Sequence, residues 1–143
     1  RRLPHVALAA RDVEKNLFQI LPPVARDQPR GRVVVLAAAF SVPAYLSDSL
    51  FQRLGRAGFR VIRFDYYGRG WSARPETTYD LALFDRQLAG LLDSLGVSGP
   101  VDLAGLSFGA AIVTDFADQH PDRVRSLIYI NPVFNTGRPL PPR

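Results

Sequence analysis

A chain of 143 residues, 47% hydrophobic and 22% charged, has the composition of one globular domain and excludes a disordered tract, a collagen-like repeat or a multidomain array. The longest apolar run, residues 33–40, falls far short of the roughly 20 residues of a bilayer span, and the absence of cysteine removes disulfide frameworks, thiolate zinc sites and a Cys nucleophile. Most of the net charge of +5 lies in residues 1–32, where seven basic side chains face three acidic ones; the other 111 residues carry only +1. Those arginines are scattered among prolines instead of clustering with aromatics on one face, so neither nucleic acid nor a membrane is an expected partner.

The chain has no methionine, so it is expected to be a piece of a longer polypeptide. The stretch 6–10 after Arg1 and Arg2 is too short for the core of a signal peptide, and without an export or lipidation signal a cytoplasmic location is expected. Three regions are distinguished: an edge segment over 1–31, a βα core over 32–132 and a proline-rich tail over 133–143, whose composition suits an exposed linker.

Residues 16–21, bounded by Pro22 and Pro23, read as a short edge strand, because proline is tolerated there and not in a central ladder. The apolar run 32–38 suits a strand buried on both faces of a parallel sheet. Over 43–56, Tyr45, Leu46, Leu50, Phe51 and Leu54 recur at helical spacing, with Pro43 tolerated in a first turn and Gly55 or Gly58 able to end the helix. A strand over 59–64 leads into the glycine-rich loop 65–74. Next, 79–95 sets Leu81, Phe84, Leu88, Leu91, Leu92 and Leu95 on one stripe that Gly96 closes. A buried strand Val101–Leu106, an alanine-rich helix Phe108–Gln119 stopped before Pro121 and a last strand Val124–Ile130 follow. This alternation predicts an α/β fold, a mostly parallel sheet with helices on both faces.

The most informative residues are Gly105-Leu106-Ser107-Phe108-Gly109. A G-x-S-x-G pattern between an apolar strand and a small-residue helix places serine on a sharp turn, the flanking glycines removing Cβ atoms that would clash. The hydroxyl then projects at the carboxyl end of the sheet, beside helix N–H groups that favour a developing oxyanion. A plainer reading of Ser107 is a helix cap after a tight turn. Gly68-Arg69-Gly70-Trp71-Ser72-Ala73 also fits the dinucleotide pattern G-x-G-x-x-A, but residues 74–78 continue as loop, so a pyrophosphate would meet no helix N-terminus. Asp65 reads as a turn former. Trp71, Tyr66, Tyr67 and Phe40 read as packing residues near the top of the sheet. Asp102, inside an apolar strand, must reach solvent or meet an arginine.

Together, the element order, the turn Gly105 to Gly109, the loop Asp65-Tyr66-Tyr67-Gly68-Arg69-Gly70-Trp71-Ser72 and the ending His120-Pro121-Asp122-Arg123-Val124 resemble the α/β-hydrolase superfamily, bacterial esterases and lipases above all. The likeness runs from about residue 31 to 132. It implies a truncated hydrolase core ending after the sixth family strand. Ser107 is then implied as nucleophile, with the backbone N–H groups of Phe108 and Phe40 as oxyanion hole, a small ester or acyl compound as substrate, and neither cofactor nor metal.

Two departures qualify that expectation. Ala38-Ala39 stands where the family usually has His-Gly, at the place where backbone approaches substrate. The chain also lacks an evident base: His120 lies at the far end of the helix that begins beside Ser107, roughly 18 Å away at 1.5 Å per residue, and nothing places His5 near it. Asn131 occupies a place where some relatives carry an acid, yet an amide cannot stabilise an imidazolium as a carboxylate does. The isolated chain is therefore expected to be inactive. Its partner would be a missing C-terminal half or a second chain, with self-association through the uncovered edge of the last strand as another expectation. A non-catalytic hydrolase-like binding or scaffold protein is the alternative.

Overall fold

The computed structural model describes residues 18–21, 31–42 and 44–133. Among the described residues five strands form one sheet: β1 (Phe18–Leu21), β2 (Val33–Ala37), β3 (Arg60–Phe64), β4 (Val101–Leu106) and β5 (Val124–Ile130), in the spatial order β1-β3-β2-β4-β5. β1 runs antiparallel to β3 at one edge, and the other pairings are parallel. His5 and residues 134–143 lie outside the described residues, as do the first two residues of the strand expected over 16–21.

Among the described residues three α-helices follow strands: α1 (Asp48–Arg56), α2 (Leu81–Ser94) and α3 (Phe108–Gln119). Phe51 of α1 packs with Val34, Leu36, Val61 and Ala104 on one face of the sheet. The opposite face carries the larger core, in which Leu83, Phe84, Leu88, Leu91 and Leu92 of α2 and Ile112, Val113 and Phe116 of α3 meet Val35, Ile62 and Leu103. Alternating strand residues thus point to opposite helix layers, as the period of two demands.

The helix expected over 43–56 is corrected. Ala44–Ser47 is a 3₁₀ turn and α1 starts at Asp48, because the Asp65 carboxylate accepts the Ala44 N–H at 3.0 Å and the Ser47 hydroxyl donates to the Ala44 carbonyl at 2.7 Å. This turn answers to a neighbouring loop before it answers to the helix. α2 begins two residues later than the stripe suggested, since Asp80 is its cap and accepts the Leu83 N–H at 2.8 Å.

β2 and β4 are neighbours in the middle of the sheet, and the helices that follow them lie on opposite faces. Ligands of open α/β sheets usually bind at the carboxyl ends of strands where the chain departs in opposite directions. Phe40 and Ser107 come from the two loops at that place, after β2 and β4.

Candidate active site

Ser107 joins β4 to α3 in a single residue, with φ 53° and ψ −116°. A side chain rarely adopts this conformation, which costs on the order of 1–3 kcal/mol and persists only where surroundings enforce it. They do so here by close approach. A Cβ on Gly105 would stand 2.6 Å from the Ala110 Cα, and one on Gly109 would collide with the Ala37 carbonyl oxygen and lie 2.7 Å from that of Ala38. Only hydrogen at these two positions lets α3 start directly against the ends of β4 and β2. The Ser107 N–H donates to the Ile130 carbonyl at 3.0 Å, and its own carbonyl accepts from Ala110 and Val133 at 3.0 and 3.2 Å.

The half-buried Ser107 side chain makes no capping hydrogen bond, so the plain cap reading loses its main support. Being the first residue of α3, Phe108 has an N–H with no partner within the helix. Its ring meets that of Phe40 edge to face, centroids 4.9 Å apart. The structure thus brings Ser107, Phe108 and Phe40 to one corner at the carboxyl ends of β2 and β4.

The loop between β3 and α2 builds the rest of that corner. The Asp65 carboxylate accepts N–H groups of Ala44 and Trp71, at 3.0 and 3.3 Å, while its carbonyl accepts from the Ser72 hydroxyl and the Gln87 amide. Asp65 is a turn former, as its sequence position suggested, and it also anchors the next loop. Gly68 and Gly70 have φ values of 76° and 48°. Tyr66 is buried and donates to the Ala38 carbonyl at 2.6 Å; burial pushes its phenol far above the ordinary tyrosine value, so it remains a donor at every working pH. The Arg69 guanidinium stacks on the Phe40 ring, 4.0 Å from its centroid, and its Nε donates to the Phe40 carbonyl at 3.1 Å.

Two packing expectations need correction. Trp71 is 84% exposed, and Phe40 is exposed as well: Ser72 folds inward to donate to the Asp65 carbonyl and leaves Trp71 outside, while Phe40, in the loop after β2, is covered on one side by Arg69 and touched at its edge by Phe108. Tyr66 and Tyr67 are buried as expected. Sequence reasoning missed Gln87, whose side chain accepts the Tyr67 N–H and donates to the Asp65 carbonyl, both at 3.0 Å. A signal for it existed: an amide on the same helical stripe as Phe84, Leu88 and Leu91 is a polar group at a core position. For Arg69 no such signal existed.

His120, at the other end of α3, holds Asp85 of α2 at 3.1 Å and stacks against Phe116. It is the one histidine among the described residues and belongs to a helix–helix contact away from Ser107. Asn131 lies exposed just after β5 with φ 46°. Asp102 meets the arginine it required: Arg32 grips its carboxylate at 2.9 Å, with Arg125 at 3.3 Å and the Ser126 hydroxyl at 2.7 Å. Among the described residues no group of three or more His, Asp or Glu is placed to hold a metal ion, and no helix is long and apolar enough to cross a membrane.

Residues 35–142 match the family model of the alpha/beta hydrolase fold. The chain belongs to the α/β-hydrolase family. It is 35% identical over 106 residues to an epoxide hydrolase A of Mycobacterium tuberculosis, covering 73% of this chain and 33% of that protein. A haloalkane dehalogenase of Agrobacterium fabrum is 31% identical over 104 residues, 73% of this chain and 34% of its own length. Among solved structures, a carboxylesterase study of Nitrososphaera gargenis supplies a chain that superposes with a TM-score of 0.74 at 26% identity, over 82% of this chain and 42% of that one. The chain thus spans about a third of the length of these curated relatives.

Proposed function

We propose that Ser107 is the nucleophile of an acyl-transfer hydrolase acting on carboxylic esters or related acyl compounds. The observation that carries this reading is the one-residue bend at Ser107, enforced by Gly105 and Gly109, at the carboxyl ends of β2 and β4. The relatives named above include proteins that open epoxides and cleave haloalkanes, yet a serine favours carbonyl substrates. Alkylation of its oxygen by an sp³ carbon would leave an ether, with no carbonyl for water to attack. Acylation leaves an ester that water can hydrolyse.

In this mechanism the Ser107 Oγ attacks the acyl carbon as its proton passes to a base. The tetrahedral oxyanion accepts hydrogen bonds from the N–H groups of Phe40 and Phe108. Collapse releases the alcohol, which takes the proton back, and water then frees the acid and regenerates the hydroxyl. Among the described residues the one histidine, His120, lies at the far end of α3 from Ser107; on this reading further polypeptide or a second chain supplies the base and its orienting carboxylate.

A fluorophosphonate probe applied to the native protein carrying this sequence tests the reading. Covalent labelling that disappears in Ser107→Ala supports it. A folded protein that stays unlabelled points instead to a hydrolase-like binding or scaffold protein, a reading favoured by Ala38-Ala39 in place of the family's His-Gly.

A further inference from the structure

We infer that Tyr66 and Arg69 are positioning residues that fix the Phe40 N–H as an oxyanion donor, holding in place a turn entered through Ala39 instead of glycine. The inference rests on the acyl-transfer reading of Ser107 and adds to it what holds the donor.

Three consecutive carbonyls in this turn each have a donor. Tyr66 Oη bonds the Ala38 carbonyl at 2.6 Å, the Val42 N–H bonds that of Ala39 at 3.4 Å, and Arg69 Nε bonds that of Phe40 at 3.1 Å. A peptide unit is planar, and its N–H points opposite to its C=O. The direction of the Phe40 N–H is therefore set by the Ala39 carbonyl, whose own bond is long and holds it weakly. The peptides on either side decide the matter. Held by Tyr66 and Arg69, those peptides fix the Cα atoms of Ala39 and Phe40, so the middle unit keeps only a crankshaft rotation about the line between them, and that rotation breaks the Val42 bond.

The two anchors are themselves anchored. Tyr66 is buried against Phe64 and Phe84, so its hydroxyl has one place to donate. Arg69 belongs to a turn closed by its N–H on the Tyr66 carbonyl at 2.9 Å and by the Ser72 N–H on its own carbonyl at 3.1 Å. Its guanidinium also covers the Phe40 ring, which meets Phe108, the residue of the second donor. One side chain thereby couples the turn of the first donor to the helix start of the second.

The test compares binding of phenylboronic acid, whose adduct with Ser107 is tetrahedral and carries oxygen into the hole, with binding of planar, uncharged benzamide by the native protein. Arg69→Met and Tyr66→Phe should each weaken boronate binding by about tenfold to a hundredfold and leave benzamide binding unchanged. Arg69→Lys should behave like Arg69→Met, because it keeps the charge and loses the Nε donor. Melting curves establish that each variant folds, and if Tyr66→Phe does not, the two Arg69 variants at the half-exposed position carry the test. Folded variants that bind boronate as tightly as the wild type, or lose both ligands equally, overturn the inference. A wild type that binds no boronate, or a Ser107→Ala that binds it equally well, overturns the acyl-transfer reading itself and the inference with it.

Discussion

Asp102 shows how one buried charge is stabilised in this sheet. Burial alone would raise its pKa, but hydrogen bonds from Arg32 and Ser126 and the charges of Arg32 and Arg125 outweigh that and hold the carboxyl below its usual value. Since the folded pKa lies below the unfolded one, the unfolded chain binds more protons between them. The stabilisation is complete above about pH 4 and is lost as pH falls through the folded value. Asp102→Asn keeps the shape and removes the charge. It should cost about 1–3 kcal/mol at pH 7, a figure reduced from that of a fully buried pair because both arginines reach solvent. Urea unfolding of both proteins between pH 7 and pH 2.5 checks this: the difference should narrow on acidification, and a constant difference would show that the charge contributes nothing. Sequence alone demanded a partner for this residue but could not say which, because Arg32 lies 70 positions away and only the pairing of β2 with β4 brings it near.

Among the elements, α2 does more than cover the sheet. Gln87 stands on its buried stripe and ties the helix to the loop that begins at Asp65, through the Tyr67 N–H and the Asp65 carbonyl. Gln87→Leu preserves size and extends the apolar stripe, which a packing argument alone would favour. The loss of two buried hydrogen bonds points the other way, and a net cost of about 1–3 kcal/mol is expected. Hydrogen exchange should show faster opening of residues 65–72 in this variant; a more stable protein with an unchanged loop would refute the tie. Elements were legible wherever one local pattern determined them. Val101–Leu106, Phe108–Gln119 and Val124–Ile130 lie where apolar runs, small residues and Pro121 put them. The misplaced start of α1 arose where Asp65, 21 residues on, takes the Ala44 N–H, a contact no local pattern contains. The site divided similarly: the bend at Ser107 was legible because glycines mark it, whereas the clamp by Arg69 depends on how two loops meet.

At the scale of the whole molecule, β1 and β5 are the two edges of the sheet among the described residues, and the β5 edge carries exposed apolar side chains. Beyond β5 no strand follows among the described residues, and Ile128 and Ile130 of β5 are 47% and 37% exposed. Both line a cleft of about 210 Å³ with Val34, Leu36, Leu54 and Phe59, on the face that carries α1. α1 packs over β3 and leaves the β4–β5 half of that face bare. An unpaired edge beside an exposed apolar surface invites association. We propose that a second copy of this chain covers it when the chain is alone in solution. Sedimentation velocity of the isolated chain from about micromolar to millimolar concentration should show a rising sedimentation coefficient. Ile128→Lys with Ile130→Lys should suppress that rise without unfolding the protein, since both side chains already reach solvent and neither belongs to the core of α2 and α3. A wild-type chain that stays monomeric throughout would mean that the bare half of this face is tolerated in water, and a double variant that associates as strongly would place the contact elsewhere.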